Sequence, residues 1–244
     1  MKYFTNYIKV QSVKNIAKYK TNDNTWAIIT GCTSGIGKQY AEILSQNGFK
    51  LILMSRNENK LKELERDLKD KYGIHSDSLK TIQIDFGKDD TYNNENFKNY
   101  LQILSDYQIK LLINNVGQST FGGEFYRYDI NKNKEMVNVN INSHVFISQL
   151  FVQSQINQKK GKYGIINISS YYGTRPIPGL ALYSSSKAFL SNFSECMYYE
   201  IKNNFDMDVL CLNPLYIRTN MVKLKESFFV LNPEKVVYTS FLKL

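Results

Sequence analysis

The sequence predicts an α/β fold in which a doubly wound parallel sheet carries helices on both faces. Short apolar runs alternate along the chain with longer amphipathic segments, which is the order of parallel strands joined by crossover helices. The apolar runs lack polar alternation, as expected of strands that are covered on both faces. The length of 244 residues suits one domain of this class with a full core.

The predicted elements alternate from the first strand onward. The six apolar runs predicted to be strands are 25–31, 49–55, 81–84, 111–113, 164–168 and 208–212. The segments predicted to be helices cover 36–47, 57–71, 91–107, 132–158 and 182–203. Gly48 ends the first helix, and Leu61, Leu64 and Leu68 give the second helix one apolar face. A last helix is predicted to start near residue 232, with Asn232 as N-cap and Pro233 at the first position.

Composition excludes several classes of protein. The apolar fraction of 43% with only four prolines is that of a globular chain, not a disordered or collagen-like one. The formal net charge is +9, but the lysines are scattered, so nucleic-acid binding is not predicted, and a phosphate-bearing ligand would suit the charge as well. The three cysteines (Cys32, Cys196 and Cys211) have no paired spacing and no nearby His, which predicts neither a disulfide framework nor a metal site.

A glycine-rich segment lies between the first strand and the first helix. It reads Thr30-Gly31-Cys32-Thr33-Ser34-Gly35-Ile36-Gly37. Glycines let the backbone turn tightly and approach a pyrophosphate, while the helix N-terminus offers free N–H groups. The spacing differs from G-x-G-x-x-G, and an ordinary turn is the alternative. Its place after the first strand favours dinucleotide binding in a Rossmann-like domain, predicted to span residues 25–244 after an N-terminal leader of residues 1–24.

The end of the second strand predicts which dinucleotide is bound. An acidic residue there would bind the adenine ribose 2′-hydroxyl of NAD. This chain has Ser55-Arg56 instead. A guanidinium can pair bidentately with a 2′-phosphate, which favours NADP(H). A solvated surface arginine is the alternative.

A tyrosine and a lysine at helical spacing are candidate catalytic residues. Tyr183 and Lys187 are separated by one helical turn and share a face. An ammonium near a phenol favours the phenolate and lowers its pKa, which would make Tyr183 a usable general acid/base. A chance surface pair is the alternative, but Ser170 follows the fifth strand, and ligands bind at the carboxyl ends of such strands.

Taken together, these motifs resemble the short-chain dehydrogenase/reductase family. The residues that carry the resemblance are Thr30-Gly31-x3-Gly35-Ile36-Gly37, Asn114-Asn115-Val116-Gly117, Asn140, Ser170 and Tyr183-x3-Lys187, in that order. Finer details are similar to one branch, among them Val116 in place of the commoner Ala and the segment Pro214-Leu215-Tyr216-Ile217-Arg218-Thr219. That branch contains very-long-chain 3-oxoacyl-CoA reductases of fatty-acid elongation and related hydroxysteroid dehydrogenases.

The resemblance implies a role for each matching position. Tyr183 would protonate the substrate carbonyl oxygen, Ser170 would hydrogen-bond that oxygen, and Lys187 would lower the Tyr183 pKa and hold the nicotinamide ribose. Asn140 would hold a water that relays protons to Lys187; its neighbours Asn138 and Asn142 are less consistent with the spacing to Ser148. The cofactor contacts expected from the motifs and the resemblance are Gly31, Ser34, Gly35, Ile36, Gly37, Ser55, Arg56, Asp85, Asn114, Tyr183, Lys187, Pro214, Ile217 and Thr219.

The chain departs from the family pattern at both ends. Branch members usually begin with a membrane-spanning segment, which residues 1–24 lack. Family members continue after the sixth strand to a seventh, whereas 25 residues follow Thr219 here. A seventh strand is therefore predicted to be missing, which leaves strand six as an edge or covered by other means.

The resulting prediction is an NADPH-dependent reductase of a lipid-like carbonyl, a 3-oxoacyl-CoA or a steroid. The alternative is an NADP-binding protein with impaired catalysis that acts as a sensor or interaction partner. By resemblance the protein would belong to the endoplasmic reticulum, with the cytoplasm as the alternative. Membrane association and a homo-oligomer stay open, and no nucleic-acid partner is expected.

Overall fold

The computed structural model describes residues 2–119, 122–156, 161–217 and 230–244. Six parallel strands form the main sheet: β1 (Thr25–Thr30), β2 (Lys50–Ser55), β3 (Leu79–Gln83), β4 (Gln108–Asn114), β5 (Tyr163–Ile168) and β6 (Met207–Leu212). Their order is β3-β2-β1-β4-β5-β6. This doubly wound parallel sheet confirms the predicted fold class. The order reverses between β1 and β4, and such a switch point opens a crevice at the carboxyl ends of the strands.

Eight α-helices accompany the strands in the described part of the chain. They are α1 (Lys2–Ala17), α2 (Gly35–Gln46), α3 (Glu58–Tyr72), α4 (Asn94–Ser105), α5 (Ile130–Val137), α6 (Ser143–Gln155), α7 (Ala181–Ile201) and α8 (Pro233–Lys243). Asn232 caps α8 by accepting a hydrogen bond from Glu234 N at 3.0 Å, as the Asn-Pro pair predicted.

Both faces of the sheet are covered, which explains the continuous apolar strands. Successive residues of β1 enter different cores: Ala27 and Ile29 pack on the side of α1, α2, α3 and α8, while Trp26 and Ile28 pack on the side of α4, α6 and α7. Side chains of a strand alternate between faces, so a strand covered twice needs apolar residues at every position. All six residues of β1 are buried.

The helix predicted over 132–158 differs from the structure in one informative way. A π-helical turn, Asn138–Asn142, separates α5 from α6. Such turns add one residue to a helix and are frequent at functional sites. The helix predicted over 91–107 is shorter, α4, and a 3₁₀ turn (Asp89–Tyr92) precedes it. Residues 2–17, for which no element was predicted, form α1.

The last helix packs close to the first. Asn15 Nδ2 donates to Phe241 O of α8 at 2.8 Å, and Tyr40 of α2 donates to Ser240 Oγ at 2.7 Å. Within the described ranges the main sheet has no seventh strand, and β6 is an edge. A separate short pair joins β7 (Tyr216–Ile217) to β8 (Val230–Leu231). Among the described residues, none of the helices has the length and apolar character needed to cross a membrane.

Candidate active site

A cleft of about 440 Å³ opens at the carboxyl ends of β1, β2, β4 and β5. Its volume lies in the range usual for small-molecule sites. The residues predicted to form the site that do line it are Gly31, Ser34, Gly35, Ile36, Ser55, Arg56, Asp85, Ser170, Tyr183, Lys187, Pro214 and Ile217. The glycine-rich segment and the Ser-Tyr-Lys set therefore face one common space.

The glycine-rich segment has the backbone geometry of an anion cradle. Gly31 and Gly35 have φ of +61° and +56°, a left-handed conformation that other residues adopt rarely. A Cβ at position 31 would lie 2.9 Å from Val116 Cα. The α2 helix starts at Gly35, and Ser34 makes no side-chain capping bond, so the first amides of α2 keep their hydrogen-bonding capacity. These features fit the pyrophosphate of a dinucleotide.

Gly37 serves packing and is not among the residues that line the cleft, so its contact with a cofactor stays a prediction. A Cβ there would lie 2.5 Å from both Asn115 Nδ2 and Gly31 O. Asn115 donates to Thr30 O at 3.1 Å and to Gly31 O at 3.0 Å, which ties the end of β4 to the loop. Gly37 thus leaves room for the side chain that fixes the loop.

Asn114 also lies beneath the cleft rather than in it. Its side chain is 1% exposed and donates to Ser148 Oγ and Asn167 Oδ1, both at 2.9 Å. Asn114 is not among the residues that line the cleft, because its amide is held between β5 and α6, and its contact with a cofactor stays a prediction. The cleft wall at this strand is made by the residues that follow it, Asn115 to Gln118.

Lys187 is buried at the base of the cleft. Its ammonium donates to Ile168 O at 2.9 Å, and the residue is 4% exposed. Burial lowers the pKa of Lys187 from 10.5 to about 8. A Cβ on Gly117 would lie 3.2 Å from this ammonium, so a glycine at that position leaves the space that Lys187 occupies.

Tyr183 and Ser170 both line the cleft. Burial raises the pKa of Tyr183 above 10, and the Ser170 hydroxyl opposes that shift. The predicted lowering of this pKa by Lys187 is not found. The Lys187 ammonium lies 6.0 Å from the centre of the Tyr183 ring and bonds to a backbone carbonyl instead. The phenol therefore holds its proton at neutral pH, the state that a proton donor requires.

Asn140 lies in the π-helical turn and joins two walls of the cleft. Its Oδ1 accepts from Gln118 N at 2.8 Å, and its Nδ2 donates to Gln118 O at 2.9 Å and Ser186 Oγ at 3.1 Å. Asn138 faces elsewhere and donates to Gly87 O at 3.1 Å. The structure thus brings Asn140, not Asn138, beside the turn of α7 that carries Lys187.

The far end of the cleft is charged. Arg56, Lys60 and Asp85 line it. The side chain of Arg56 is 67% exposed, and its Nη1 lies 3.7 Å from Glu135 Oε1 of α5. Asp85 is fixed by its own loop, because its Oδ1 accepts from Gly87 N at 3.0 Å.

The segment after β6 is tied to the loop after Ser170. Tyr171 N donates to Pro214 O at 2.8 Å, and the hydroxyls of Tyr172 and Tyr216 are 2.5 Å apart. Pro214, Leu215 and Ile217 reach the cleft from this segment. Thr219, predicted to cover the nicotinamide, lies outside the described residues.

Sequence reasoning missed several residues of the cleft wall. They are Thr33, Asn57, Lys60, Ile84, Phe86, Asn115, Val116, Gly117, Gln118, Val139, Ile168, Ser169 and Leu215. Most of them flank a residue that was predicted, at or just past a strand end. The predicted strand ends could have indicated these residues. Lys60 belongs to α3, and no sequence pattern indicated it.

The order of the sheet and the cluster of Ser170, Tyr183 and Lys187 match the pattern of the short-chain dehydrogenase/reductase family. The family model described as "short chain dehydrogenase" matches residues 25–228, and the chain belongs to this family. Its relatives place it in the branch predicted from the motifs. The very-long-chain 3-oxoacyl-CoA reductase of Rattus norvegicus is 36% identical over 206 residues, which are 82% of this chain and 62% of that protein. The chain therefore spans less than two thirds of that relative's length.

Solved structures share the fold. A short-chain dehydrogenase from Sphingobium yanoikuyae in complex with NADPH has a TM-score of 0.76 and 24% identity, covering 89% of this chain and 83% of that one. The 3-ketoacyl-(acyl-carrier-protein) reductase from Brucella melitensis complexed with NADH has a TM-score of 0.74 and 19% identity, with 88% of each chain covered. At these identities the likeness concerns the fold alone.

Proposed function

We propose that this chain reduces a carbonyl group on a lipid-like substrate and uses NADPH as hydride donor. The observation that carries the proposal is that Ser170, a protonated Tyr183 and the buried Lys187 line one cleft, with the Lys187 ammonium 6.0 Å from the centre of the Tyr183 ring. The glycine cradle at Gly31 and Gly35 lies at the same cleft. Carbonyl reduction needs a proton donor, a hydrogen-bond donor for the carbonyl oxygen and a binding site for the dinucleotide, and this cleft can supply all three.

The residues of the cleft fit a nicotinamide dinucleotide phosphate. The cradle and the amides at the start of α2 would hold the pyrophosphate, and Arg56 and Lys60 would meet a 2′-phosphate. Lys187 would hold the nicotinamide ribose, and Ile217 would cover the ring. When bound, the reduced nicotinamide supplies a hydride for the carbonyl carbon.

The chain's own residues handle the proton. Tyr183 donates its hydroxyl proton to the carbonyl oxygen as negative charge develops there. Ser170 donates a hydrogen bond to the same oxygen and so stabilises that charge. Asn140 would hold a water that relays protons to Lys187.

A 3-oxoacyl-CoA is the substrate we favour, because the relatives of this branch carry the name very-long-chain 3-oxoacyl-CoA reductase. A steroid ketone is the second substrate class, suggested by the resemblance alone. Fatty-acid elongation would place the protein at the endoplasmic reticulum, and this localisation stays a prediction, as do membrane association and a homo-oligomer.

The proposal is tested by following NADPH and NADH oxidation with a 3-oxoacyl-CoA in three proteins. Tyr183→Phe is expected to lose 10²–10⁴-fold in kcat, the usual contribution of a positioned general acid. Arg56→Ala is expected to lower the preference for NADPH while keeping turnover with NADH. Wild-type turnover by Tyr183→Phe would refute the proposed acid. Cofactor binding without turnover of any ketone by the wild-type protein would favour the sensor alternative.

A further inference from the structure

A carboxylate outside the predicted site contacts the arginine proposed to bind the 2′-phosphate. Glu135 of α5 places its Oε1 3.7 Å from Arg56 Nη1. Gln118, with its amide oriented to satisfy its neighbours, donates to the same Oε1 at 3.2 Å. Arg56 and Gln118 both line the cleft. Glu135 therefore bridges two residues of the cleft wall from α5.

The backbone beneath Glu135 leaves room for this contact. A Cβ on Gly87 would lie 2.8 Å from Glu135 Cγ and 3.4 Å from its Oε1. Gly87 follows Asp85 and Phe86, which line the same end of the cleft. A side chain at position 87 would push Glu135 away, so the glycine permits the carboxylate to stay close to Arg56.

The negative charge of Glu135 should weaken the binding of a cofactor with a 2′-phosphate and not that of a cofactor with a 2′-hydroxyl. A 2′-phosphate needs the guanidinium of Arg56, and Glu135 pairs with that same guanidinium. A ribose 2′-hydroxyl carries no charge and leaves the Arg56–Glu135 pair intact. The side chains are 67% and 40% exposed, so the pair is weak enough to be exchanged.

We propose that Glu135 is a specificity-determining residue that competes with the cofactor 2′-phosphate for Arg56 and thereby narrows the preference for NADPH over NADH. The inference rests on the proposed function, since it assumes that Arg56 meets the 2′-phosphate. Glu135 acts through Arg56 and is a positioning residue, not a catalytic one. Replacing Glu135 should increase the preference for NADPH over NADH, whereas the loss of an ordinary 2′-phosphate-binding residue would decrease it.

The test is the equilibrium binding of NADP⁺ and NAD⁺, measured by isothermal titration calorimetry. Glu135→Gln keeps the shape of the side chain and its contact with Gln118. It is expected to tighten NADP⁺ binding roughly two- to fivefold, the range that exposed ion pairs support, with NAD⁺ binding unchanged. The matched control is Glu124→Gln, which removes an exposed carboxylate paired with Arg127 and should leave both constants unchanged.

A second background separates competition from other effects. The quantity compared is the ratio of the Kd for NAD⁺ to the Kd for NADP⁺. In the Arg56→Ala protein, the further substitution Glu135→Gln should leave this ratio unchanged, because the arginine for which Glu135 competes is gone. If Arg56→Ala alters the ratio but Glu135→Gln alone does not raise it, the competition is refuted and the NADPH proposal stands. If Glu135→Gln still raises the ratio without Arg56, competition for that arginine is refuted. If Arg56→Ala has no effect on the ratio, the 2′-phosphate site itself is wrong.

Discussion

At the residue scale, Lys187 combines function with a cost in stability. Its pKa is about 8 in the folded protein and 10.5 for the ordinary side chain. Between these values the unfolded chain binds more protons than the folded one, so the free energy of unfolding rises with pH across that window. Below pH 8 the buried charge costs about 3 kcal/mol, at about 1.36 kcal/mol for each pKa unit.

Lys187→Met is therefore expected to abolish turnover and yet to raise the free energy of unfolding at pH 7. The gain should be less than about 3 kcal/mol, because Ile168 O loses its hydrogen-bond donor. The difference from the wild-type protein should shrink at pH 10, where the wild-type lysine is largely neutral. Urea unfolding at the two pH values measures this. The control is Lys162→Met, because Asp208 raises the pKa of Lys162. A Lys187→Met protein less stable than wild type at both pH values would contradict the argument.

The meeting of Ser170, Tyr183 and Lys187 in one cleft could be predicted from the sequence, because one short stretch fixes their relation. Ser170 follows a strand, and Tyr183 and Lys187 share a helix face, so few arrangements remain. Asn114 could not be assigned in the same way. Its side chain bonds to Asn167, its register partner on β5, and pairing between distant segments is invisible in a single sequence.

At the element scale, the loop after Ser170 packs closely against α7 at Gly173. A Cβ on Gly173 would lie 2.6 Å from the carbonyl carbon of Lys187 and 2.8 Å from Ala188 N. Both are backbone atoms of α7 and cannot move aside as a flexible side chain would. The loop and the catalytic turn of α7 thus keep their separation only while position 173 has no side chain.

Gly173→Ala is expected to lower kcat by more than tenfold and the free energy of unfolding by about 1–3 kcal/mol, the cost of overpacking. Gly122→Ala is the matched control, since a Cβ there meets Gly179 O at 3.7 Å, an ordinary contact. Steady-state kinetics and urea unfolding of both variants provide the measurement. Equal behaviour of the two variants would show that the loop moves away from α7 without loss.

The strands and most helices could be predicted because apolar runs and helical periodicity are local signals. The break between α5 and α6 could not. A π-helical turn leaves the composition of a helix unchanged and adds one residue, which shifts the phase without weakening the pattern. The N-terminal helix α1 was missed for another reason. Its apolar residues are not gathered on one face, and burial of Ile8, Ile16 and Tyr19 depends on α8 and the sheet.

At the scale of the whole molecule, the two ends of the described chain form one packed layer. Ile16 is fully buried in the same core as Val237 and Phe241 of α8. Tyr19, just after α1, donates a hydrogen bond to Asp208 at the start of the edge strand β6. Residues predicted to be a leader thus contact the sheet and its last helix, and we propose that they fold together with the domain.

Ile16→Ala is expected to lower the free energy of unfolding by about 2–5 kcal/mol, as for other buried large-to-small changes. Val13→Ala changes the half-exposed side of the same helix and should cost less than about 0.5 kcal/mol. Urea unfolding followed by circular dichroism compares them. If the two variants were equally stable, α1 would be an appendage that the domain does not need.

The π-helical turn also affects any comparison that treats residues 130–155 as one regular helix. An α-helix advances about 100° for each residue. A helical wheel drawn through the whole segment, with its phase set by α6, would misplace every side chain of α5 by about that angle and would rotate Glu135 away from Arg56. Deleting one residue between 138 and 142 would impose that rotation on the protein itself, so the charge at the far end of the cleft depends on the same π-helical turn that holds Asn140.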